Sequence, residues 1–318
     1  MQKDNQTIIQ NPFFMVGAVR SGTTLLRLML DYHPKIAFAP EFEYAVSEVS
    51  DEGVFPEMTE YHRYLDENAV FKRCNFSVDP FLSYKDLVDD FLHQKIKPGV
   101  EIVGATVHEH FDRCLHIWPN AKFIHIIRDP RDVARSAIAM GWCGNVWVGS
   151  EIWVETERLW GEFAKTLSPE QYIEIKYEDL IADHESVLSR ICEFMGTEYD
   201  AGMMDYVKDT TYDVPDPSRV YPWRKKLDEL GVQQVESQCG ELIEQRGYEL
   251  SGLPLKTFTA RQAQDFVKDS DRKKRQFRIN RYGFWLLSFA KLTKMLKISW
   301  MNDYFQNKID HVSSQYIK

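Results

Sequence analysis

Residues able to do chemistry appear early in this 318-residue chain: Arg20, Ser21, Gly22, Thr23 and Thr24, between Gly17 and a helical pattern. The spacing Gly17-x4-Gly22 is that of a phosphate-gripping loop, whose backbone N–H groups and following helix N-terminus face an anion's oxygens. Nucleotide triphosphatases carry lysine after the second glycine, and here Thr23 stands in its place. A triphosphate would be poorly neutralised without that lysine. Arg20 offers instead a guanidinium that forks onto two oxygens, with hydroxyls from Ser21, Thr23 and Thr24. A ligand-free strand–helix turn is the plainer reading of the loop alone.

A second anion site is written in "IIRDPRDVARSAIAM". A magnesium-binding enzyme of this type would end the strand in aspartate, but this one ends in Arg128. Arg128 falls at the carboxyl end of an expected parallel strand, the edge where such sheets bind ligands. Ser136, eight residues on, can present its hydroxyl beside it, a pairing that suits a phosphate monoester and no metal. The alternative is an ordinary Arg128–Asp129 surface pair. Taken together, the two sites describe a nucleotide with anionic groups at both ends of its ribose.

The elements that must position these groups follow from periodicity. Phe13–Gly17 is a short buried strand. Leu25, Leu28, Met29 and Tyr32 fall on one helix face, which "HPK" ends. Ile36–Ala39 reads as a second strand, Lys122–Asp129 as a third, and "QYIEIKYEDL" as a strand entering a helix from Asp179 to Met195. Further helices are expected over Ser83–Gln94, Asp132–Met140, "EIWVETERLWGEFAKTL" and Leu227–Arg246. This alternation predicts an α/β, three-layer P-loop-like fold with a central parallel sheet flanked by helices. The expected division is a domain over 1–255 and a basic amphipathic helical C-terminal extension over 256–318.

Composition narrows the classes. A net charge of −9 argues against general nucleic-acid binding. The five cysteines are scattered, with no CxxC pair, and read as reduced thiols of a cytoplasmic protein. "MQKDNQTIIQNPFF" lacks the apolar core of an export signal, and no run of 18 uncharged apolar residues occurs. The tail is different, with "DRKKRQFRIN" followed by Lys291, Lys294 and Lys297 among apolar residues. Its apolar side, with Trp285, Leu286, Phe289 and Leu296, suits burial on its own protein, on a second copy in a homodimer, or on an anionic membrane surface as a peripheral contact.

"VRSGTTLL" followed about a hundred residues later by "IHIIRDPRDVARS" resembles the sulfotransferases that use 3′-phosphoadenosine 5′-phosphosulfate (PAPS). Weaker matches lie at "IKYEDLIADHESVLSRICEFMG" and "YPWRKKL". The resemblance covers about residues 12–250 and is nearest in motif to the tyrosylprotein and heparan-type enzymes. It implies that Arg20, Ser21, Gly22, Thr23 and Thr24 hold the 5′-phosphosulfate, and that Arg128 and Ser136 hold the 3′-phosphate. It places Tyr177 near the adenine and Lys226 over the co-substrate, with Arg224 and Lys225 as rivals. PAPS is then a co-substrate used without metal, and the acceptor a hydroxyl of a small molecule, glycan or lipid headgroup.

Transfer to a hydroxyl needs a base beside the loop. Glu41 follows the second strand at the position where the tyrosylprotein enzymes carry their glutamate, and is expected directly beside the loop's strand. Arg20 is expected to stabilise the charge of the reaction. Glu43, His108 and His110 are rivals to Glu41. In one respect the chain departs from the family: Ala105 falls where relatives carry a lysine that bears leaving-group charge, so either Lys72, His108 or Lys226 substitutes, or transfer is slower, or the acceptor supplies help. Two other functions fit parts of the pattern, an NTP-dependent small-molecule kinase and a module that binds adenosine bisphosphate without turnover.

Overall fold

The computed structural model describes residues 11–314. The expectation about an export signal at the N-terminus falls mainly outside them. The element order is β1 (Phe13–Val16), α1 (Thr23–Asp31), β2 (Ile36–Glu41), α2 (Met58–Glu67), α3 (Ala69–Cys74), α4 (Tyr84–His93), β3 (Ile102–Thr106), α5 (Cys114–Ile117), β4 (Lys122–Ile127), α6 (Pro130–Met140), α7 (Val146–Ala164) and β5 (Tyr172–Lys176). There follow α8 (Tyr177–Ala182), α9 (His184–Met195), α10 (Tyr206–Asp209), α11 (Trp223–Lys226), α12 (Glu229–Cys239), α13 (Leu242–Gln245), α14 (Ala260–Tyr282), α15 (Phe284–Met295) and α16 (Ser299–Ser314). Two compact units result: Met1–Asp129 with Glu155–Val220, and Pro130–Val154 with Tyr221–Lys318.

The first unit holds a five-stranded, all-parallel sheet of order β2-β3-β1-β4-β5. Such a sheet needs cover on both faces, and the strands alternate accordingly. Phe14, Val16, Ala105, Val107 and Phe123 join a cluster with Leu87, Phe91, Trp118 and Trp160. Phe13, Met15, Ile124 and Ile126 face the other way, onto Leu26, Met29, Leu180 and Ile191. Helices thus flank a central parallel sheet, as the alternating pattern predicted.

Two features differ from expectation. β3 lies between β1 and β2, so Glu41 is one strand further from the loop than the sequence suggested. β3 escaped notice because "IVGAT" is short and broken by Gly104. There a Cβ would come within 2.3 Å of the Phe38 ring and 2.5 Å of the Phe13 carbonyl oxygen, so the strands' close approach demands glycine. The helix expected over 179–195 is interrupted at Asp183, whose Oδ1 accepts the Ser186 N–H at 3.1 Å and starts α9 afresh.

In the second unit, Arg131 of α6 lies 3.7 Å over the Trp223 ring and pairs with Glu236 of α12 at 2.8 Å. Asp132 Oδ1 accepts the Trp223 N–H at 2.9 Å. α14 opens with a capping box between Thr259 and Gln262, and Gly144 N–H donates to Ser270 Oγ at 2.8 Å. α14, α15 and α16 pack on one another. No helix among the described residues is long and apolar enough to cross a membrane.

Candidate active site

In the first unit β1 delivers the chain into the Gly17–Thr24 loop at the sheet's carboxyl edge. Both glycines are sterically required. A Cβ on Gly17 would lie 2.2 Å from the Ile126 carbonyl oxygen, and one on Gly22 would lie 2.3 Å from Tyr177 Cδ2. Arg20 itself takes a left-handed φ of 75° and Gly22 one of 96°, which folds the loop over the start of α1. The helix cap is Gly22, with no side-chain cap bond. First-turn N–H groups have no helical carbonyl to bond, so with the helix dipole they favour an anion. Ser21 is fully buried, and its Oγ has no hydrogen-bond partner among the described residues. A buried hydroxyl in that state is costly unless something accepts from it or donates to it.

Arg128 leaves β4 at the same edge. Its Nη1 donates to the Arg20 carbonyl at 3.2 Å and its Nη2 to the Arg219 carbonyl at 3.1 Å. The guanidinium lies 4.2 Å over the Tyr177 ring, the ring that lies against Gly22. The Arg20 guanidinium is held below its ordinary value chiefly by burial, with Arg128 pushing the same way and Tyr212 and Tyr177 opposing. Two repelling cations are therefore gathered at one loop. The structure brings Arg20, Ser21, Gly22, Arg128 and Tyr177 to one loop. Ser136 on α6 and Lys226 on α11 belong to the second unit.

Glu41 ends β2 opposite Thr106 of β3, after a register shift at Pro40, and is exposed. Arg27 of α1 lies within its electrostatic reach. Burial lowers the Arg27 guanidinium, while Asp31, Tyr212 and Glu41 act against that. Glu43 is tied to the strand end, its Oε1 accepting the His108 backbone N–H at 2.8 Å. Burial raises the Glu43 carboxyl above the usual range, opposed by His108 and reinforced by Glu41.

His108 Nδ1 lies 2.8 Å from the Gly17 carbonyl oxygen. A carbonyl only accepts, so Nδ1 carries the proton and Nε2 of the neutral ring keeps its lone pair. Sequence reasoning missed Arg27 and the Glu43–His108 link. The visible signal for Arg27 was a cation inside an apolar helical pattern.

Comparisons with known proteins bear on the family and the fold. The model of the Sulfotransferase family matches residues 12–201. The omega-hydroxy-beta-dihydromenaquinone-9 sulfotransferase of Mycobacterium tuberculosis is 25% identical over 311 aligned positions, covering 77% of this chain and 77% of that protein. Among solved structures, the sulfotransferase domain of the Synechococcus PCC 7002 olefin synthase superposes with a TM-score of 0.58 at 21% identity. That match covers 78% of this chain and 98% of the domain. The sulfotransferase domain of the curacin biosynthetic pathway gives 0.55 at 19%, covering 77% and 100%. At such identities the two structures speak for a shared fold.

Proposed function

The chain belongs to the sulfotransferase family and is an enzyme of sulfuryl transfer, and we propose that its donor is PAPS and its acceptor a hydroxyl of a small molecule, glycan or lipid headgroup. One observation carries the donor reading: two mutually repelling guanidiniums, Arg20 and Arg128, gathered at a glycine loop with a buried, unsatisfied Ser21 hydroxyl. An anionic ligand removes both penalties. The similar mycobacterial protein is named for a hydroxylated menaquinone, which favours an apolar alcohol among the acceptors.

In this reading Arg20, Ser21, Thr23, Thr24 and the loop N–H groups bind the 5′-phosphosulfate, with Gly22 giving the backbone its close approach. The acceptor oxygen bonds to sulfur as the bond from sulfur to the phosphate oxygen breaks, releasing 3′,5′-adenosine bisphosphate. The acceptor's proton passes to Glu41. Such transfers rest on positioning and electrostatics. The resemblance assigns the 3′-phosphate to Arg128 and Ser136, the adenine to Tyr177 and closure to Lys226. The change of composition after about residue 255 is the ground for taking 1–255 as the catalytic part and 256–318 as the extension. His108 is the second candidate base, because its Nδ1 is committed to Gly17 and its Nε2 keeps a lone pair.

Calorimetry with 3′,5′-adenosine bisphosphate and with ATP tests the donor; binding of ATP and none of the bisphosphate would defeat the reading in favour of a kinase. Transfer of labelled sulfuryl to a panel of alcohols tests the base. E41Q is expected to keep bisphosphate affinity within about twofold and to lose about 10²–10⁴ in transfer. Full transfer by E41Q with loss in H108Q would move the role to His108. Bisphosphate binding without transfer to any acceptor would leave a binding module.

A further inference from the structure

The tail's apolar side, which suits burial on its own protein, on a second copy or on a membrane, is open to solvent along α15 and α16. On α15, Trp285 is 71% exposed, Phe289 44%, Leu292 46%, and Leu296 just beyond it 59%. Their spacing i, i+4, i+7, i+11 makes one helical stripe. α16 continues the patch with Trp300 and Tyr304, both more than half exposed. The rings touch in series across the hairpin: Trp285 to Phe289 at 6.2 Å, Phe289 to Phe305 at 5.7 Å and Phe305 to Tyr304 at 5.3 Å. A contiguous exposed aromatic patch is uncommon on a monomer and marks a place where something binds.

The charge beside it says what. From Arg272 to Asn302 the sequence holds nine Lys and Arg and no Asp or Glu, in a chain whose net charge is −9. Arg272 and Lys273 bridge to Asp269. Lys291, Lys294 and Lys297 are exposed, and the helical period of α15 puts Lys291 and Lys294 on the side away from the stripe. An exposed stripe of Trp, Phe and Leu on one side of a helix, with lysines on the other, is the composition of a helix lying in a lipid–water interface, and Trp and Tyr prefer that depth. A second copy of the chain is a poorer occupant, since it offers this hairpin only the same cations, whereas an anionic bilayer offers the lysines opposite charge.

We propose that the α15–α16 hairpin is a membrane-docking surface that seats its aromatic stripe in an anionic bilayer with Lys291, Lys294 and Lys297 at the headgroups. The assignment stands on this hairpin alone and does not depend on the donor or acceptor reading. Flotation of the full chain with phosphatidylcholine vesicles, with and without 30 mol% phosphatidylglycerol (an experimental setting of about one anionic lipid in three), tests it. Binding is expected with the anionic vesicles, weakened at least tenfold by W285S/F289S and by raised salt. Each lysine near the surface is worth about fivefold, so K291Q/K294Q/K297Q should lose about a hundredfold.

Bisphosphate binding and the far-UV circular dichroism spectrum of these variants should match those of the parent, because the residues are exposed. Equal or absent binding to both vesicle types, or binding indifferent to the substitutions, would overturn the proposal. So would sedimentation showing a dimer that W285S/F289S converts to monomer.

Discussion

Gly22 carries two separable demands, and replacing it by alanine measures both. The first is conformational: φ is 96°, where an L side chain costs about 1–2 kcal/mol. The second is steric: the new Cβ would lie 2.3 Å from Tyr177 Cδ2 and 2.7 Å from Cε2. That ring is buried and has the Arg128 guanidinium 4.2 Å from its centroid, so it has little room to retreat. Overpacking of this kind costs about 1–3 kcal/mol. G22A should therefore lose about 2–5 kcal/mol.

Gly196 supplies the control within the same unit: it caps α9 at φ 85° with nothing within 4 Å of its would-be Cβ. G196A should lose only the conformational part, about 1–2 kcal/mol. Urea unfolding followed by far-UV circular dichroism gives both values. In a Y177A background the excess cost of G22A should vanish, a coupling of about 1–3 kcal/mol. Bisphosphate affinity should fall in G22A and hold in G196A. Equal costs for the two alanines, or strict additivity with Y177A, would refute the claim that the ring sets the loop's shape.

His125 provides a pH prediction. Its two ring nitrogens each lie 3.1 Å from a carboxylate oxygen, of Glu157 and of Glu174. Ionised carboxylates only accept, so this geometry suits an imidazolium, which donates from both nitrogens. Burial alone would lower its pKa, but the two carboxylates raise it above 6.5. A raised folded value gives stability fully present below 6.5 and lost as pH climbs through the folded value. The gap between parent and H125Q in urea midpoint should thus be widest near pH 6 and narrow as pH rises above 6.5; parallel profiles would disprove the charged state. For the buried Arg131–Glu236 pair, R131M should cost about 3–5 kcal/mol by leaving a buried carboxylate without its cation, and R131M/E236L should recover part of it, since Ser251 then loses both its acceptors. A double variant no more stable than R131M would contradict this account.

Local rules made part of this protein legible. The Gly17-x4-Gly22 spacing and the stripe Leu25, Leu28, Met29 lay within one stretch, and "KFIHII" was long and apolar enough to declare β4. What escaped depended on distant partners. β3 was hidden because its glycine answers to Phe38 and Phe13, residues that sequence proximity does not connect to it. Arg131 and Asp132 carried no sequence signal of their partners, because Glu236 and Trp223 lie 105 and 91 residues away. The tail's amphipathic period was readable, but exposure of its apolar side is a property of what packs there, which no periodicity encodes.

Ala105 raises the question of what replaces the family lysine. Its side chain sits in the apolar cluster with Phe14, Ala39, Phe42 and Trp118, so a lysine there would bury an ammonium among aromatic rings. Strand alternation gives the opposite phase to Thr106 and His108. Thr106 Oγ1 is buried with no hydrogen-bond partner among the described residues, and His108 touches the loop through Gly17. Of the substitutes weighed for leaving-group charge, Lys72 is exposed at the end of α3, while His108 is bonded to the loop itself. The two roles open to His108 have opposite signs. A base acts unprotonated, so acid slows transfer; a charge-bearing imidazolium acts protonated, so acid quickens it until Glu41 is itself neutralised. With E41Q removing the carboxylate's own titration, the slope of residual transfer against pH reports which role His108 holds. A flat profile, unchanged again by H108Q, would remove His108 from the reaction.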